Sequence, residues 1–279
     1  MKKMTISKEI SFSGTALQTG VKTRVTCKPA KEKDGIIFKR RDLKNSPELC
    51  LSDGLFSSGE RRSTISLGAA SIQTIEHFLA ALWAMEIDNI MVEIDGAELP
   101  GLDGSAIEFI KLLRSAGVQK QNGEREFIKI TEKEEVKDGD VSLSIFPDEF
   151  ASVSYYIDYG IKSIERETFK IELNSRLFET EIASARTFCL KEEATALLKA
   201  GLGQGANFEN TLVIDETGPV KTKLRFKNEP VRHKILDLVG DFYMLGKPII
   251  GRIVARKSGH KTNSAMLKKI YQKYICNNN

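Results

Sequence analysis

VRHKILDLVGDFYMLG, residues 231–246, is the stretch on which the reading of this 279-residue chain turns. At roughly 100° per residue, Val231, Ile235, Leu238, Val239, Phe242 and Leu245 gather on one face and predict a core-facing helix. His233, Asp237 and Asp241 fall at i, i+4 and i+8, away from that face. An imidazole and a carboxylate one turn apart can share a divalent cation at about 2 Å. Gly240 lies on the polar side near His233, where the missing side chain is expected to leave room for a ligand. On its own the His-x3-Asp pair is weak evidence. It fits a solvated helix face with an intrahelical contact better than it fits a metal site.

A second helical period, TIEHFLAALWAME at 74–86, changes that balance. Ile75, Leu79 and Leu82 set its apolar stripe, with Phe78 and Trp83 at the margins, and Glu76 and His77 fall off it. The order is the reverse of the zinc motif H-E-x-x-H, and Ala81 stands where a second histidine would be. Any metal site must therefore join His77 to ligands from elsewhere, and His233 and Asp237 supply the right number. Three protein ligands and one open position is the catalytic zinc pattern. The third of the chain's three histidines, His260, lies in KSGH between a strand and the last helix. It is either plain surface or a proton donor to a leaving amine.

Composition narrows the function classes. The hydrophobic fraction is 41% and the net charge +4, from 42 Lys and Arg against 38 Asp and Glu. A folded core is expected, and the charge suits a small anionic substrate better than nucleic acid, for which no aromatic–basic pattern appears. No apolar run approaches the ~20 residues of a membrane span, and MKKMTISKEI has no signal core, so cytoplasmic retention is expected. Cys27, Cys50, Cys189 and Cys276 are widely spaced without a C-x-x-C pair and are read as reduced thiols.

Strand signals precede helix signals twice. ISFSGTAL, VKTRVTCKPA, IIFKR and NIMVEID read as strands before a helix that Asp103, Gly104 and Ser105 introduce and that ends near 116. QNGERE, 121–126, is polar and turn-forming and is expected to separate two units, 1–122 and 127–279. FIKIT, VSLSIF, SVSYYIDY, TLVID and IIGRIVARK are strands of the second, with helices near 190–200 and 230–246 and a final amphipathic one. Two α+β domains follow from this order, with duplication a hypothesis from element order alone. GLGQG, 201–205, lacks the context of a phosphate loop and reads as a turn. Asn277, Asn278 and Asn279 are expected to fray.

TIEHFLAAL, IDNIMVEIDGAELPGLDGSA, SARTF, VRHKILDLVGD and KSGH together resemble the UDP-3-O-acyl-N-acetylglucosamine deacetylases, in order and spacing, from about Ser13 to Leu267. The resemblance implies two similar two-layer α/β sandwich domains, each with an insert and with the active site between them. It implies a zinc-dependent hydrolase that converts UDP-3-O-acyl-N-acetylglucosamine to UDP-3-O-acyl-glucosamine and acetate, the committed step of lipid A synthesis. Zinc on His77, His233 and Asp237 is implied, with Glu76 as general base and Thr187 polarising the amide carbonyl. Lys234 would stabilise negative charge, and His260 would act as general acid with Asp241 tuning it. Thr187 and Lys234 would otherwise pass for an ordinary strand-end threonine and a solvated lysine. Ala194, Leu198 and the segment 159–163 would line an acyl passage, and Phe188 and Lys257 would touch sugar or nucleotide. A monomer acting on a nucleotide sugar is expected.

The chain departs from the family pattern in places. Gln18 replaces the histidine of G-L-H-T-G, LPGLDGSA replaces V-P-I-M-D-G-S-A, Gly205-Ala206 replaces paired glycines, and YGIKSI replaces a His-Pro insert segment. No proposed ligand or acid/base group is lost. A catalytically silent relative that binds a nucleotide sugar or a protein partner, or a deacetylase of another acylated amino sugar, remain as alternatives. Two nitrogens and an oxygen also accept iron(II) or cobalt(II).

Overall fold

The computed structural model describes residues 1–59 and 62–276, the side chains of 57–59 excepted; Asn277, Asn278 and Asn279, expected to fray, lie outside these. Two five-stranded sheets organise the chain. The first is built from Ile10–Thr15, Lys22–Pro29, Ile36–Arg40, Glu48–Cys50 and Ile90–Ile94, in the spatial order first, second, fifth, third, fourth. The second uses Glu134–Asp138, Val141–Phe146, Ser152–Ile157, Glu167–Glu172 and Arg252–Arg256 in the same order. In both, the third and fifth strands pair in parallel and all other neighbours are antiparallel. The similarity expected from element order thus extends to strand order.

A parallel pair requires a crossover, and in each half that connection carries helices and an insert. In the first half the crossover contains α1 (Glu76–Ala84), and α2 (Ile107–Ala116) follows the fifth strand. Phe78 of α1 packs edge-on against Phe38 of the sheet and Phe109 of α2, with centroids 6.3 and 5.5 Å apart. The crossover of the second half contains α3 (Ser175–Glu181), α4 (Lys191–Lys199) and α5 (Glu229–Tyr243). The chain then closes with α6 (His260–Ile270). α5 and α6 cover the second sheet, and α5 packs along α1, so the helical layers of the halves face each other. Among the described residues, every strand pairing joins partners on one side of 125–127.

α5 starts with Pro230 in its first turn, where a missing N–H is harmless, and the chain leaves it through Gly246 at φ 70 before Pro248. Its apolar stripe is buried as expected. Its opposite face is buried too, because α1 covers it. That overturns the solvated-face reading of His233, Asp237 and Asp241. Amphipathic patterning understates α1 in the same way, since Glu76 and His77 are as buried as its leucines.

Two inserts complete the frame. Strands Phe56–Gly59, Arg62–Leu67 and Ala70–Gln73 form an antiparallel sheet before α1, and Phe56 meets Tyr271 beyond α6 at 5.2 Å. Strands Phe188–Leu190, Leu212–Asp215 and Gly218–Pro219 form another, with α4 between the first two and no residue of α4 fully buried.

Three local expectations change. The polar stretch 121–126 is not a turn throughout: Val118–Glu124 is a strand paired with Lys2–Ile6. One-sided pairing lets it stay polar, which hides it from an apolar period. IIGRIVARK divides at Gly251 into Ile249–Ile250, paired with Ile128–Lys129, and Arg252–Arg256. His260 is the first residue of α6 rather than a loop histidine. The four cysteines are free.

Candidate active site

Where α1 meets α5, His77, His233 and Asp237 bring one ligand atom each within 4.8 Å of one another. Asp237 Oδ1 lies 3.1 Å from His233 Nε2 and 3.6 Å from His77 Nε2, and all three side chains are buried. The approach depends on Gly240. A Cβ there would stand 1.9 Å from the Glu76 carbonyl oxygen, so this glycine makes room for the α1 backbone and not for a ligand.

The chemistry of these atoms fits a divalent cation. His233 Nδ1 lies 3.0 Å from the Ala185 carbonyl, an arrangement that places the proton on Nδ1 and leaves a lone pair on Nε2. Burial keeps His77 below its usual imidazole value against the pull of Asp237, which favours the neutral ligand form. Burial opposes ionisation of Asp237, yet His233 and Lys234 outweigh it and hold its carboxyl well below the usual range. Asp237 Oδ1 is buried with no hydrogen-bond partner. A buried carboxylate oxygen left so is costly unless a cation completes it.

The other groups surround this triad. Lys234 Nζ donates to Asp237 Oδ2 at 2.6 Å; burial works against its charge, but Asp237 keeps its pKa raised and the ammonium intact. Glu76 Oε1 lies 3.9 Å from His260 Nε2, which is 3.8 Å from Asp237 Oδ2. His260 Nδ1 lies 2.9 Å from Asp241 Oδ2, which also accepts from Asn263 Nδ2 at 2.8 Å. Burial raises the Glu76 carboxyl to about 8, with His260 opposing and Asp241 and Asp237 reinforcing the shift. For His260 burial opposes the charge, but Asp241, Asp237 and Glu76 raise its pKa to about 9. A cation on the triad would pull both values down.

Glu76, His77, His233, Lys234, Asp237 and His260 share one cavity of about 940 Å³ with Thr187 and Phe188. Thr187 is placed by its own backbone: its N–H donates to Gly104, and its carbonyl accepts from Leu212. Gly104, at φ 77, is required there because a Cβ would meet the Asn210 carbonyl oxygen at 1.7 Å. Ala194 and Leu198 of α4 line the same cavity, as do Tyr159, Gln18 and Ala206. The Tyr159 and Phe188 rings meet edge to face at 5.5 Å.

Lys257 is the expected site residue that the fold does not bring to the cavity. Its ammonium goes to Asp140 at 2.8 Å, with Asp158 3.8 Å away; Lys261 lines the wall, but its ammonium goes to Asp138 at 3.0 Å. Sequence reasoning also passed over Ser63, whose backbone N–H donates to Glu76 Oε2 at 3.1 Å and whose hydroxyl donates to Asp241. Glu98 was missed as well. Its buried carboxylate accepts from Gln18 N, Thr19 N, Thr19 Oγ1 and Thr74 Oγ1, fixing the turn before Val21 and the entrance to α1. Thr74 stands at φ 55, a β-branched residue in a disfavoured region, held there by that bond.

Comparison with known proteins gives the family. The sequence profile of the family described as UDP-3-O-acyl N-acetylglycosamine deacetylase matches residues 3–272. A protein of Anaeromyxobacter sp. (strain Fw109-5) named UDP-3-O-acyl-N-acetylglucosamine deacetylase is 37% identical over 267 residues, 95% of this chain and 87% of its own. One of the same name from Myxococcus xanthus (strain DK1622) is 36% identical over 273 residues, 98% of this chain and 87% of its own. Another, from Wolinella succinogenes, is 37% identical over 271 residues, 97% of this chain and 90% of its own. With the profile spanning nearly its whole length, the chain belongs to the UDP-3-O-acyl-N-acetylglycosamine deacetylase family.

Proposed function

We propose that Glu76, Thr187, Lys234 and His260, set around a zinc ion on His77, His233 and Asp237, carry out the hydrolysis characteristic of the family. UDP-3-O-acyl-N-acetylglucosamine loses its acetyl group as acetate and leaves UDP-3-O-acyl-glucosamine, for lipid A synthesis. The observation that carries the site assignment is Asp237 Oδ1, an orphaned buried carboxylate oxygen facing two imidazole nitrogens. When bound, the ion acidifies water and polarises an amide carbonyl.

The protein groups divide the rest of the work. Glu76 is not in the ligand triad, yet it faces the same space, so its carboxylate takes the proton from the attacking water. The Thr187 hydroxyl donates to the carbonyl oxygen as it gains charge, and the Lys234 ammonium supplies a positive field from the wall. His260, with Nδ1 committed to Asp241, presents Nε2 toward Glu76 and Asp237 and passes a proton to the leaving amine. Asp241 sets the tautomer and favours the imidazolium.

Phe188, Ala194 and Leu198 give the cavity an apolar side suited to the acyl chain, and the YGIKSI segment contributes Tyr159. Lys257 has no part in this reading: Lys191, Lys234 and Lys261 are the lysines that line the cavity. In this reading the enzyme is a cytoplasmic monomer with units at 1–122 and 127–279. Among the described residues, no helix is long and apolar enough to cross a membrane.

The test is acetate release from UDP-3-O-acyl-N-acetylglucosamine by native protein, chelator-treated protein with and without added zinc, and Glu76→Ala. Activity should vanish with chelator, return with zinc and fall steeply in Glu76→Ala. Failure of the well-folded, zinc-loaded protein to release acetate at any acyl length tried would end the assignment.

A further inference from the structure

Ser63 belongs to the insert sheet before α1, yet each of its polar groups is spent at the active site. Its N–H donates to Glu76 Oε2 at 3.1 Å. Its carbonyl accepts from Thr74 N at 2.9 Å, at the entrance to α1. Its hydroxyl donates to Asp241 Oδ1 and stands 3.3 Å from His260 Nδ1. The residue is buried, so water does not compete for these partners.

From this geometry we infer that Ser63 is a positioning residue, a joint that fixes the carboxylate taking the proton relative to the imidazole delivering it. The inference rests on the roles proposed for Glu76 and His260. One peptide unit and one hydroxyl span the two groups, which come from different halves of the fold: Glu76 from α1, and Asp241 with His260 from α5 and α6. The hydroxyl donates to Asp241 Oδ1, which stands 3.2 Å from His260 Nδ1, while Oδ2 makes the closer contact with His260 Nδ1 at 2.9 Å and accepts from Asn263 Nδ2. With both oxygens engaged, the carboxylate cannot rotate, and the imidazole plane is set by it. Without the hydroxyl, Oδ1 keeps no partner but His260 Nδ1, the carboxylate is free to turn, and Nε2 loses its fixed direction toward Glu76.

The mutable part of the joint is the hydroxyl. Ser63→Ala removes it, while Ser63→Thr keeps it in a strand position that accepts a β-branched side chain. In the zinc-loaded enzyme, Ser63→Ala should lower kcat by ~10-fold or more, part of the ~100-fold or greater contribution that a well-placed general acid makes. KM should stay within about twofold, because a group acting on the chemical step and not on substrate binding changes kcat alone. Ser63→Thr should recover most of the loss. A readout apart from activity is the His260 Nδ1 proton resonance of the metal-free protein, which should move in Ser63→Ala and return in Ser63→Thr.

Native kcat in Ser63→Ala, an unmoved resonance, or a loss that Thr does not restore and that follows falling zinc content would overturn the inference. Glu76→Gln and His260→Gln measured alongside separate the two levels. If both keep native kcat, the role assignment falls and this inference with it. If both are inactive while Ser63→Ala is fully active, the joint alone is rejected.

Discussion

Arg186 and Glu229 form a buried ion pair, Nε to Oε1 at 3.0 Å, one residue away from Thr187 on the cavity wall. The Glu229 carboxylate also accepts from the backbone N–H of Arg186 and of Arg225, while Arg186 Nη2 donates to the Lys223 carbonyl at 2.6 Å. The pair thus ties the first turn of α5 to the segment that carries Thr187 into the strand Phe188–Leu190. Removing one partner of such a pair leaves the other charged and unpaired. Glu229→Ala is therefore expected to lower unfolding stability by about 3–5 kcal/mol, whereas Glu229→Gln, which keeps an acceptor, should cost less. Chemical denaturation of the two variants checks the order; equal, small losses would contradict it.

Gly240→Ala should act at the helix crossing. Its methyl would stand 1.9 Å from the Glu76 carbonyl oxygen, and backbone on α1 cannot yield as a flexible side chain would. Either α5 moves off α1 or the helix distorts, at about 1–3 kcal/mol or more. Because Glu76 and His77 ride on one helix and His233 and Asp237 on the other, zinc affinity should fall together with Tm. Unchanged zinc affinity, measured by competition with a chromophoric chelator, would show that the crossing does not set the site.

The same glycine shows where the sequence could and could not be read. His77, His233 and Asp237 are legible because a helical period sorts them from apolar neighbours, and three donors from two segments match a metal's coordination need. Periodicity says which face a residue lies on but not what covers that face. The His233–Asp241 face looked solvated, and Gly240 looked like ligand space, because α1 is distant in sequence. The assignments of Thr187 and Lys234 came through family resemblance, since a strand-end threonine and a helical lysine carry no local signal. Ser63 and Glu98 act through hydrogen bonds to partners distant in sequence, with no spacing rule to expose them. Lys257 looked suited to a diphosphate by charge alone, yet nearby carboxylates hold it.

Glu167→Gln should stabilise the protein at neutral pH. Glu167 Oε2 accepts from Val231 N at 3.1 Å in the first turn of α5, but burial raises the carboxyl above its usual 4.5, with that hydrogen bond opposing the shift. A folded pKa above the unfolded one means that the native state binds the proton more tightly. The ionised form therefore weakens the fold at pH values above the folded pKa, and the penalty disappears as pH falls from there through 4.5. Glutamine keeps an acceptor for Val231 without the charge. Its Tm advantage should be largest near neutrality and close toward pH 4; an advantage independent of pH would rule out this cause.

Gln18→Ala should change which substrates the cavity accepts. Gln18 Oε1 accepts from Gly203 N at 3.1 Å, while the carbonyls of Gln18 and Leu17 accept from Gln204 and Gly205. The turn of the first half is thus sewn to the loop after α4, and Gln18, Leu202, Gly203 and Ala206 all line the cavity. Truncation leaves the two backbone bonds in place, so the seam should hold and stability should fall by only about 1 kcal/mol. The wall recedes by an amide group, and Gly203 N–H loses its acceptor. The ratio of kcat/KM for longer over shorter 3-O-acyl chains should rise several-fold, since each methylene newly accommodated contributes about 0.8 kcal/mol of burial. An equal loss across all chain lengths would mean that Gln18 holds the loop without shaping the acyl site. A native protein indifferent to chain length would mean that this cavity does not take the acyl chain at all.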